Sequence, residues 1–300
     1  MVMIVWISCF DIGGTTIKYG LCNEEGVLTE RSEIPTEIME NGPHAMLMKV
    51  ADIANIHKSS HDVAGVAIAT AGIVDTESGT ILYGGNNFPG YEGINIKEVL
   101  TSMSGLPCSV ENDVNCVALG EYWKGAGQRS RSLFCLTVGT GIGGAAMIDG
   151  KLYHGASYCA GEIGFMKIGS STSFEGVASM KALIENVARA RQISPKDIDG
   201  KKIFKQAKSG DAVANLAIQR MVDHLAAGIA NICYLYNPDM VIIGGGVSAQ
   251  MRYIRPMLMK SLEKQLIPPI YENTRITFAN LQNDAGMIGA VYHFLHEQSM

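Results

Sequence analysis

The sequence has no basic patch and little that suits a secreted protein. Its 24 Lys and Arg residues are outnumbered by 29 Asp and Glu residues, which gives a formal net charge of −5. Nucleic-acid phosphates require a basic face, so this charge balance argues against a nucleic-acid partner. The seven cysteines form an odd, scattered set without CxxC spacing. This pattern favours neither a disulfide framework nor a zinc knuckle, and it predicts a reducing, cytoplasmic location.

A long apolar run is also missing. The longest uncharged stretch, residues 132–148, is interrupted by glycines and is shorter than the ~20 apolar residues that a membrane helix needs. Residues 1–10 are apolar, but they lack a basic leader and a small-residue cleavage site. They therefore predict a buried first strand rather than a signal peptide. We expect no membrane partner.

Apolar side chains are what the chain has in abundance. With 300 residues, of which 47% are hydrophobic, it can bury a large core. At this length, two domains with a cleft between them are expected, and a small-molecule enzyme fits these bounds. Because the net charge is negative, an anionic substrate would have to be bound locally, by backbone amides and a metal ion.

The spacing of apolar and turn residues predicts an α/β fold in the first half of the chain. Glycine-containing turns join the opening β-rich runs, which indicates an antiparallel start. The predicted elements are strands over 2–10, 17–22 and 27–34, a helix over 43–59, a strand over 63–69, a helix over 95–103 and a strand over 107–110. Alternation of this kind is typical of a layered α/β domain.

The second half repeats the first in outline. The predicted elements are strands over 133–138 and 145–148, a turn at 149–150, a short strand at 152–153, a helix over 212–236, strands over 240–243 and 276–279, and a helix over 285–296. We therefore predict two α/β lobes. Residues 1–115 with 286–300 form the first, and residues 116–285 form the second.

Residues 139–144, GTGIGG, contain the pattern GxGxxG, which has several meanings. A dinucleotide site needs a helix directly after the glycines, whereas residues 145–148 read as a strand that runs into an Asp-Gly turn. A protein kinase would carry VAIK, HRD and DFG elements, and a Walker A loop would carry GK[ST]. The sequence contains none of these in the required places.

Two Gly-rich turns of matching layout remain, DIGGTT at 11–16 and GTGIGG at 139–144. Exposed amides in such turns bind phosphate oxygens, glycine allows close approach of the backbone, and threonine hydroxyls add donors. The alternative is two tight hairpins that contain glycine for steric reasons. The candidate phosphate-binding residues are Gly13, Gly14, Thr15, Gly139, Thr140, Gly141 and Gly143.

Asp11 stands at the mouth of the first turn. A carboxylate beside a phosphate is repulsive unless a divalent cation or its waters lie between them, so Asp11 is a candidate Mg²⁺ ligand, acting through water. Lys18 on the following strand is placed to reach a phosphate oxygen, although an exposed strand lysine is the plain alternative.

Residues 111–115, ENDVN, lie where a strand ends and a helix begins. Asn and Asp are favoured helix N-caps, but one residue suffices for a cap. Phosphoryl transfer needs one carboxylate that accepts the proton of the attacking hydroxyl, while metal and amides take up the phosphate charge. Asp113 suits this general base, and Asn112 suits positioning of a sugar.

These motifs, together with AGEIG at 160–164 and IIGGGV at 242–247, resemble in their order the ROK family of bacterial sugar kinases over nearly the whole chain. The resemblance implies an actin-like (ribonuclease H-like) two-lobed ATPase fold with a cleft between the lobes. It implies ATP bound by both Gly-rich turns, with Mg²⁺ as the assisting ion. The residues that it places near the adenosine are Gly244, Gly245 and Gly246. The sugar contacts that it implies are Gly72 (backbone), Asn87, Asn112, Asp113, Glu162 and Glu175.

The chain departs from the family pattern at Phe165, where members commonly have a histidine, and in residues 169–173, which lack the cysteines of a zinc loop. The departures indicate a branch without zinc. This pattern is most similar to the β-glucoside kinases, which phosphorylate the 6-hydroxyl of cellobiose-like disaccharides. Glucokinases and N-acetylmannosamine kinases remain alternatives, and a homodimer is expected.

Two readings of other classes remain. The family includes sugar-responsive transcription regulators, but these carry an N-terminal helix-turn-helix domain, and here the first Gly-rich turn begins at residue 11. An actin-like structural ATPase without a sugar substrate would not need Asn112 and Asp113 together with Glu162.

Overall fold

The computed structural model describes residues 5–85, 88–169 and 172–297. These residues form two compact α/β units. Unit 1 consists of the described residues within Met1–Arg129, His154–Ala160 and Asn283–Met300, and unit 2 of those within Ser130–Tyr153 and Gly161–Gln282. Within the described ranges, no helix has the length and apolar character needed to cross a membrane.

The strands in chain order are β1 (Trp6–Ile12), β2 (Thr16–Asn23), β3 (Leu28–Pro35), β4 (Val63–Thr70), β5 (Ile73–Asp75), β6 (Thr80–Tyr83), β7 (Cys108–Asn112), β8 (Leu133–Val138), β9 (Ile142–Ile148), β10 (Lys151–Leu152), β11 (Lys167–Ile168), β12 (Thr172–Ser173), β13 (Met240–Gly244) and β14 (Arg275–Phe278). The helices are α1 (Ile38–Ser60), α2 (Ile96–Ser104), α3 (Asp113–Lys124), α4 (Phe174–Ala178), α5 (Met180–Arg191), α6 (Gly200–Lys208), α7 (Ala212–Tyr236), α8 (Met251–Glu263), α9 (Pro268–Asn273) and α10 (Ala285–Glu297).

Unit 1 is built on a sheet of order β3-β2-β1-β4-β7. Strand β2 runs antiparallel to β1, whereas β4 and β7 run parallel to it. Alternate residues of β1 face opposite sides, as strand geometry requires. Phe10 and Ile12 pack in the cluster that includes α1 and α2, and Ile7 and Cys9 pack against α3 and α10. The sheet is thus covered by helices on both faces.

Unit 2 repeats this plan with the sheet order β10-β9-β8-β13-β14. Strands β8, β9 and β10 form an antiparallel meander, and β13 and β14 run parallel to β8. Helix α7, of 25 residues, supplies many of the side chains of the core that covers this sheet. Its left-handed C-cap residue Asn237 precedes Pro238, and together they stop the helix.

The structure extends several predicted elements. Strand β9 begins at Ile142 rather than 145 because Gly143 and Gly144 pair with Thr137 and Leu136 of β8. Helix α1 begins at Ile38, with a kink at Gly42, where φ is 76°.

The predicted lobe boundary at 115/116 differs from the division in the structure, where unit 1 continues to Arg129. Helix α3 packs closely on α10. A Cβ on Gly289 would lie 1.7 Å from the Cys116 carbonyl oxygen, and one on Gly120 would lie 2.4 Å from that of Ala285. These glycines keep α3 in unit 1. The residues His154–Ala160, here named the crossing segment, also belong to unit 1 although they fall inside the predicted second lobe.

Candidate active site

The carboxyl ends of three parallel strands bring the candidate residues of unit 1 to one edge of its sheet. Asp11 of β1 pairs with Ala69 of β4, which pairs with Glu111 of β7, and Thr70 pairs with Asn112. Ligand sites in open α/β sheets lie at this edge. The first Gly-rich turn, Gly72 and the ENDVN residues are therefore neighbours within one unit.

The first Gly-rich turn is a tight connection between β1 and β2. Its base is closed by the Gly13 amide, which donates to the Thr16 carbonyl at 3.0 Å. The Thr36 hydroxyl donates to the Gly13 carbonyl at 2.7 Å and holds the turn from the side. Gly14 and Thr15 are exposed at the tip. The exposed tip is the part that a phosphate could approach.

Asp11 lies beside both a cation and a helix start. Its Oδ2 is 3.2 Å from Lys18 Nζ. A Cβ on Gly286, near the start of α10, would also lie 3.2 Å from the Asp11 carboxyl group. The positive end of a helix dipole stabilises such an anion.

Magnesium sites use one or two carboxylates together with water and phosphate oxygens, rather than a cage of protein ligands. Among the described residues there is no group of three or more His, Cys, Asp and Glu side chains that could hold a metal. A single carboxylate such as that of Asp11 is compatible with a water-mediated Mg²⁺ site of this kind.

Within the ENDVN residues, Asn112 and Asp113 make different hydrogen bonds at the start of α3. Asn112 is the N-cap of α3, and its Oδ1 accepts hydrogen bonds from the amides of Val114 and Asn115 at 2.9 and 3.1 Å. Its Nδ2 donates to the Gly72 carbonyl at 2.9 Å. Since Asn112 makes the cap, the helix does not need Asp113 for that purpose. Asp113 Oδ1 accepts from the Val114 amide at 2.9 Å.

Glu111 is a buried carboxylate behind these residues, with 1% of its side chain exposed. Its Oε1 accepts from the Asn112 amide at 2.7 Å and from Asn115 Nδ2 at 2.9 Å, and its Oε2 lies 2.6 Å from His154 Nε2. Burial alone raises the pKa of Glu111, but the hydrogen bond with His154, the charges of His293 and His154 and the hydrogen bond from Asn115 together lower it. Burial likewise lowers the pKa of His154, and Glu111 raises it above its usual value.

Gly72 has a structural reason to be glycine. Its φ is +105°, and a Cβ there would lie 2.6 Å from the Tyr83 carbonyl oxygen. Its own carbonyl is the acceptor for Asn112. Asn87, which the resemblance places near the sugar, lies outside the described residues, as do Ser170 and Ser171 of the segment without cysteines.

The second Gly-rich turn joins β8 to β9 in unit 2. The Gly139 amide donates to the Gly141 carbonyl at 3.0 Å, and the Gly139 carbonyl accepts from the Met180 amide at 2.9 Å. Thr140 is exposed. A Cβ on Gly139 would meet no described atom within 4 Å, and its φ is not in the left-handed region. Steric crowding within the described protein therefore does not explain glycine at 139.

Gly244 to Gly246 follow β13 directly beside this turn. Gly244 pairs with Thr137 of β8, so the carboxyl ends of both strands meet at one edge. Gly245 has a φ of +76°, and a Cβ there would lie 2.7 Å from the Val138 carbonyl oxygen. Glycine at 245 is thus a packing requirement. Gly246, like Gly139, has no described atom within 4 Å of a built Cβ.

Glu162 and Glu175 both lie close to the second turn. Gly161 has a φ of +95°, and its built Cβ would lie 2.1 Å from the Gly144 carbonyl oxygen, which puts the following Glu162 beside β9. The Oε2 atom of Glu175 is 2.8 Å from the built Cβ of Gly141. Partial burial and the neighbouring Glu175 charge raise the pKa of Glu162, although the residue as a whole is exposed. Two carboxylates therefore stand next to the candidate phosphate-binding turn.

Sequence reasoning missed three features of these sites. His154, the partner of Glu111, is 43 positions away from it and carries no local motif. The packing of Gly286 against Asp11 was also missed. Phe165, noted only as a missing histidine, is an exposed aromatic side chain three residues after Glu162, with 64% of its surface accessible.

Comparison with known proteins gives one consistent result. The ROK family model matches residues 7–297. A β-glucoside kinase from Listeria innocua is 33% identical, with 98% of each chain covered. A solved ROK family protein from Streptococcus pneumoniae, in complex with sucrose, is 31% identical and matches with a TM-score of 0.85 over 98% of this chain and 99% of that one. A ROK family glucokinase from Streptomyces griseus, in complex with glucose and AMPPNP, is 30% identical, with a TM-score of 0.81 over 95% and 97% of the two chains.

These matches run along nearly the full length of the chain and of its relatives. The expected fold class is confirmed, since the solved relatives have the actin-like ATPase fold of sugar kinases. The expected class of enzyme is confirmed as well. The chain belongs to the ROK family and is an ATP-dependent sugar kinase.

Proposed function

We propose that this enzyme transfers the γ-phosphoryl group of ATP to the 6-hydroxyl of a glucose unit, with Asp113 as the general base. The observation that carries the proposal is that Asp11 and the end of β7, which Asp113 follows directly, lie at the same edge of the unit 1 sheet. Phosphoryl transfer needs a carboxylate near the attacking hydroxyl and another on the side of the metal ion. Asn112, and not Asp113, is the N-cap residue of α3.

The nucleotide roles follow from the two Gly-rich turns. We assign phosphate binding to the exposed tip at Gly14 and Thr15, with Gly13, and to the turn at Gly139, Thr140, Gly141 and Gly143. Gly244, Gly245 and Gly246 are assigned to the adenosine, because they lie beside the second turn in the same unit. Asp11 is assigned to Mg²⁺ through water. Lys18 already lies 3.2 Å from Asp11, so its proposed phosphate contact requires it to share or leave that ion pair.

The sugar roles are assigned to the residues that the resemblance implies. Asn112 and Asp113, with the backbone of Gly72 and the undescribed Asn87, are assigned polar contacts with the sugar. Glu162 and Glu175 are assigned carboxylate contacts. A carboxylate accepts hydrogen bonds from two neighbouring ring hydroxyls, and such charge-assisted bonds are about twice as strong as neutral ones.

For the substrate class we favour a β-glucoside such as cellobiose over free glucose. Two similarities support this choice, the 33% identity to a β-glucoside kinase and the 31% identity to a solved relative that binds the disaccharide sucrose. Phe165, in place of a polar histidine, offers an apolar surface three residues from Glu162. Glucose and N-acetylmannosamine are the competing substrates. We also propose that the enzyme is a homodimer in the cytoplasm and has no nucleic-acid partner.

The deciding experiment is a panel assay of ADP release with cellobiose, glucose, N-acetylmannosamine, mannose and fructose. The proposal expects the highest kcat/KM with cellobiose and a product phosphorylated at the 6-position, read by phosphorus and carbon NMR. A preference for glucose or N-acetylmannosamine would move the enzyme to one of the competing classes. Phosphate on a different hydroxyl would contradict the 6-position.

A further inference from the structure

We propose that Glu111 and His154 form a positioning pair that holds the segment of the general base in its working orientation. This inference rests on the proposed function, in which Asp113 is the base. Neither residue is assigned a contact with the substrate. Both act through the backbone and side chains that they hold.

Glu111 uses both of its carboxylate oxygens. Oε1 of Glu111 accepts hydrogen bonds from the backbone amide of Asn112 and from the side chain of Asn115, which lie on either side of Asp113 in the sequence. Oε2 is bonded to His154 Nε2. The two residues that flank the base in the helix start are therefore bonded to one buried anion, which His154 orients from its other side.

Removing a carboxylate from water costs several kcal/mol, and the cost is offset only where a partner and further hydrogen bonds are well placed. Asn112 alone would suffice to cap α3. A buried anion behind that cap exceeds what helix formation needs. The buried carboxylate of Glu111 is explained if the reaction depends on the orientation of residues 112 to 115.

His154 comes from a part of the chain 43 positions away from Glu111. It is the first residue of the crossing segment, which belongs to unit 1 although the chain on both sides of it belongs to unit 2. The His154 ring packs edge-on against Tyr158 at 5.8 Å, and the Tyr158 hydroxyl bonds to Asp75 of unit 1. The segment ends at Ala160, two residues before Glu162. One ion pair thus joins the base segment to the crossing segment within unit 1.

The charges around the pair favour a protonated His154. The pKa of His293 on α10 is lowered by burial, so between the pKa of His293 and that of His154 only the His154 ring is charged. Burial raises the pKa of the Cys116 thiol on α3, which stays neutral too. Other titratable groups near the pair are Tyr158, with Asp75 and Glu77 beyond it, Lys97 and Glu297 beside His293, and Asp11 and Asp113 near Cys116.

The direction of the pH effect follows from these charges. Because the pKa of His154 is raised, the ion pair is complete below that pKa. It is weakened as the pH rises through it. We therefore expect a decline of kcat at high pH that depends on residue 154.

The test compares His154→Ala and His154→Gln with a matched control, His61→Gln. His61 pairs with Glu30 at 3.1 Å, and its side chain is 28% exposed against 27% for His154, but it lies at the opposite end of β4 from the active site. For His154→Ala we expect kcat to fall up to about 100-fold, the cost of a misplacement of about 1 Å at a reacting group, with the KM for ATP within about twofold. His154→Gln retains a nitrogen donor but cannot titrate, so it should lose the decline at high pH.

Parent-like kcat in His154→Ala would overturn the inference. So would a decline at high pH in His154→Gln that matches the parent, and this second result decides the question if the alanine variant does not fold. Asp113→Asn, measured in the same series, separates the two proposals. If Asp113→Asn is inactive while His154→Ala is parent-like, only the positioning role fails, and if Asp113→Asn turns over normally, the assignment of the base fails.

Discussion

Gly139 separates a nucleotide-binding role of the second turn from a purely structural one. In Gly139→Ala, the new methyl group meets no described protein atom within 4 Å, and the backbone does not need a positive φ. Exchange of glycine for alanine at such a position stabilises a protein by about 0.4–1 kcal/mol, because the unfolded chain loses freedom. We therefore expect the free energy of unfolding to stay level or rise.

The effect on ATP should be the opposite. If phosphate oxygens approach the backbone here, the methyl group breaks a hydrogen bond between an amide and a charged oxygen, which is worth about 1.5–3 kcal/mol. At 1.4 kcal/mol for each tenfold, the KM for ATP should rise about 10- to 100-fold. The assay is ADP release at saturating sugar with varied ATP, beside urea unfolding of the same samples.

Gly210→Ala is the matched control in unit 2. Gly210 lies between α6 and α7, also has open space around a built Cβ, and has a φ of +91°. Alanine there should lower the free energy of unfolding by about 1–2 kcal/mol through backbone strain and leave the KM for ATP unchanged. A parent-like KM for ATP in Gly139→Ala, or a loss of stability as large as that of Gly210→Ala, would refute the phosphate-binding role of this turn.

Three further predictions test other parts of the account. Partial burial and the charge of Glu175 raise the pKa of Glu162, so the sugar KM of the parent should rise as the pH falls through that pKa. Glu162→Gln should show a high sugar KM without this pH dependence. A parent-like sugar KM in the variant at saturating ATP would remove Glu162 from the site. Gly289→Ala should lower the free energy of unfolding, measured by urea denaturation, by about 1–3 kcal/mol or more, since its Cβ would lie 1.7 Å from the Cys116 carbonyl oxygen. An unchanged free energy of unfolding would contradict the close packing of α3 on α10. Metal analysis of the purified protein should find no stoichiometric zinc, because residues 165–173 contain neither His nor Cys and structural zinc takes about four such ligands. One zinc per chain would contradict the expected branch without zinc.

Local signals in the sequence were enough to find much of the sheet framework. The strand at Leu133–Val138 and the helix at Ala212–Tyr236 were predicted with the bounds that the structure has. Each is delimited by residues with strong local preferences, a glycine turn after the strand and Asn237-Pro238 after the helix. The Gly-rich turns and the strand-to-helix junction at 111–115 were found for the same reason.

Contacts between distant parts of the chain were beyond sequence reasoning. Glu111 and His154 meet because the crossing segment returns to unit 1, and nothing near either residue indicates that path. The carboxylate of Glu175 lies beside Gly141, 34 positions earlier, for the same kind of reason. The lobe boundary was misplaced because the fit of α3 on α10 depends on Gly120 and Gly289, which pattern alone reads as ordinary helix residues. The bounds of a helix or strand depend on nearby residues, whereas the packing of these elements depends on residues far apart in the sequence.

The general base is the central claim, and one variant tests it most directly. Asp113→Asn, compared with Asp52→Asn on the exposed face of α1, should keep the parent stability and the parent KM for ATP. With the sugar that gives the fastest ADP release, its kcat should fall about 10²- to 10⁴-fold, the usual contribution of a positioned general base. Turnover by Asp113→Asn at the rate of Asp52→Asn would contradict the account.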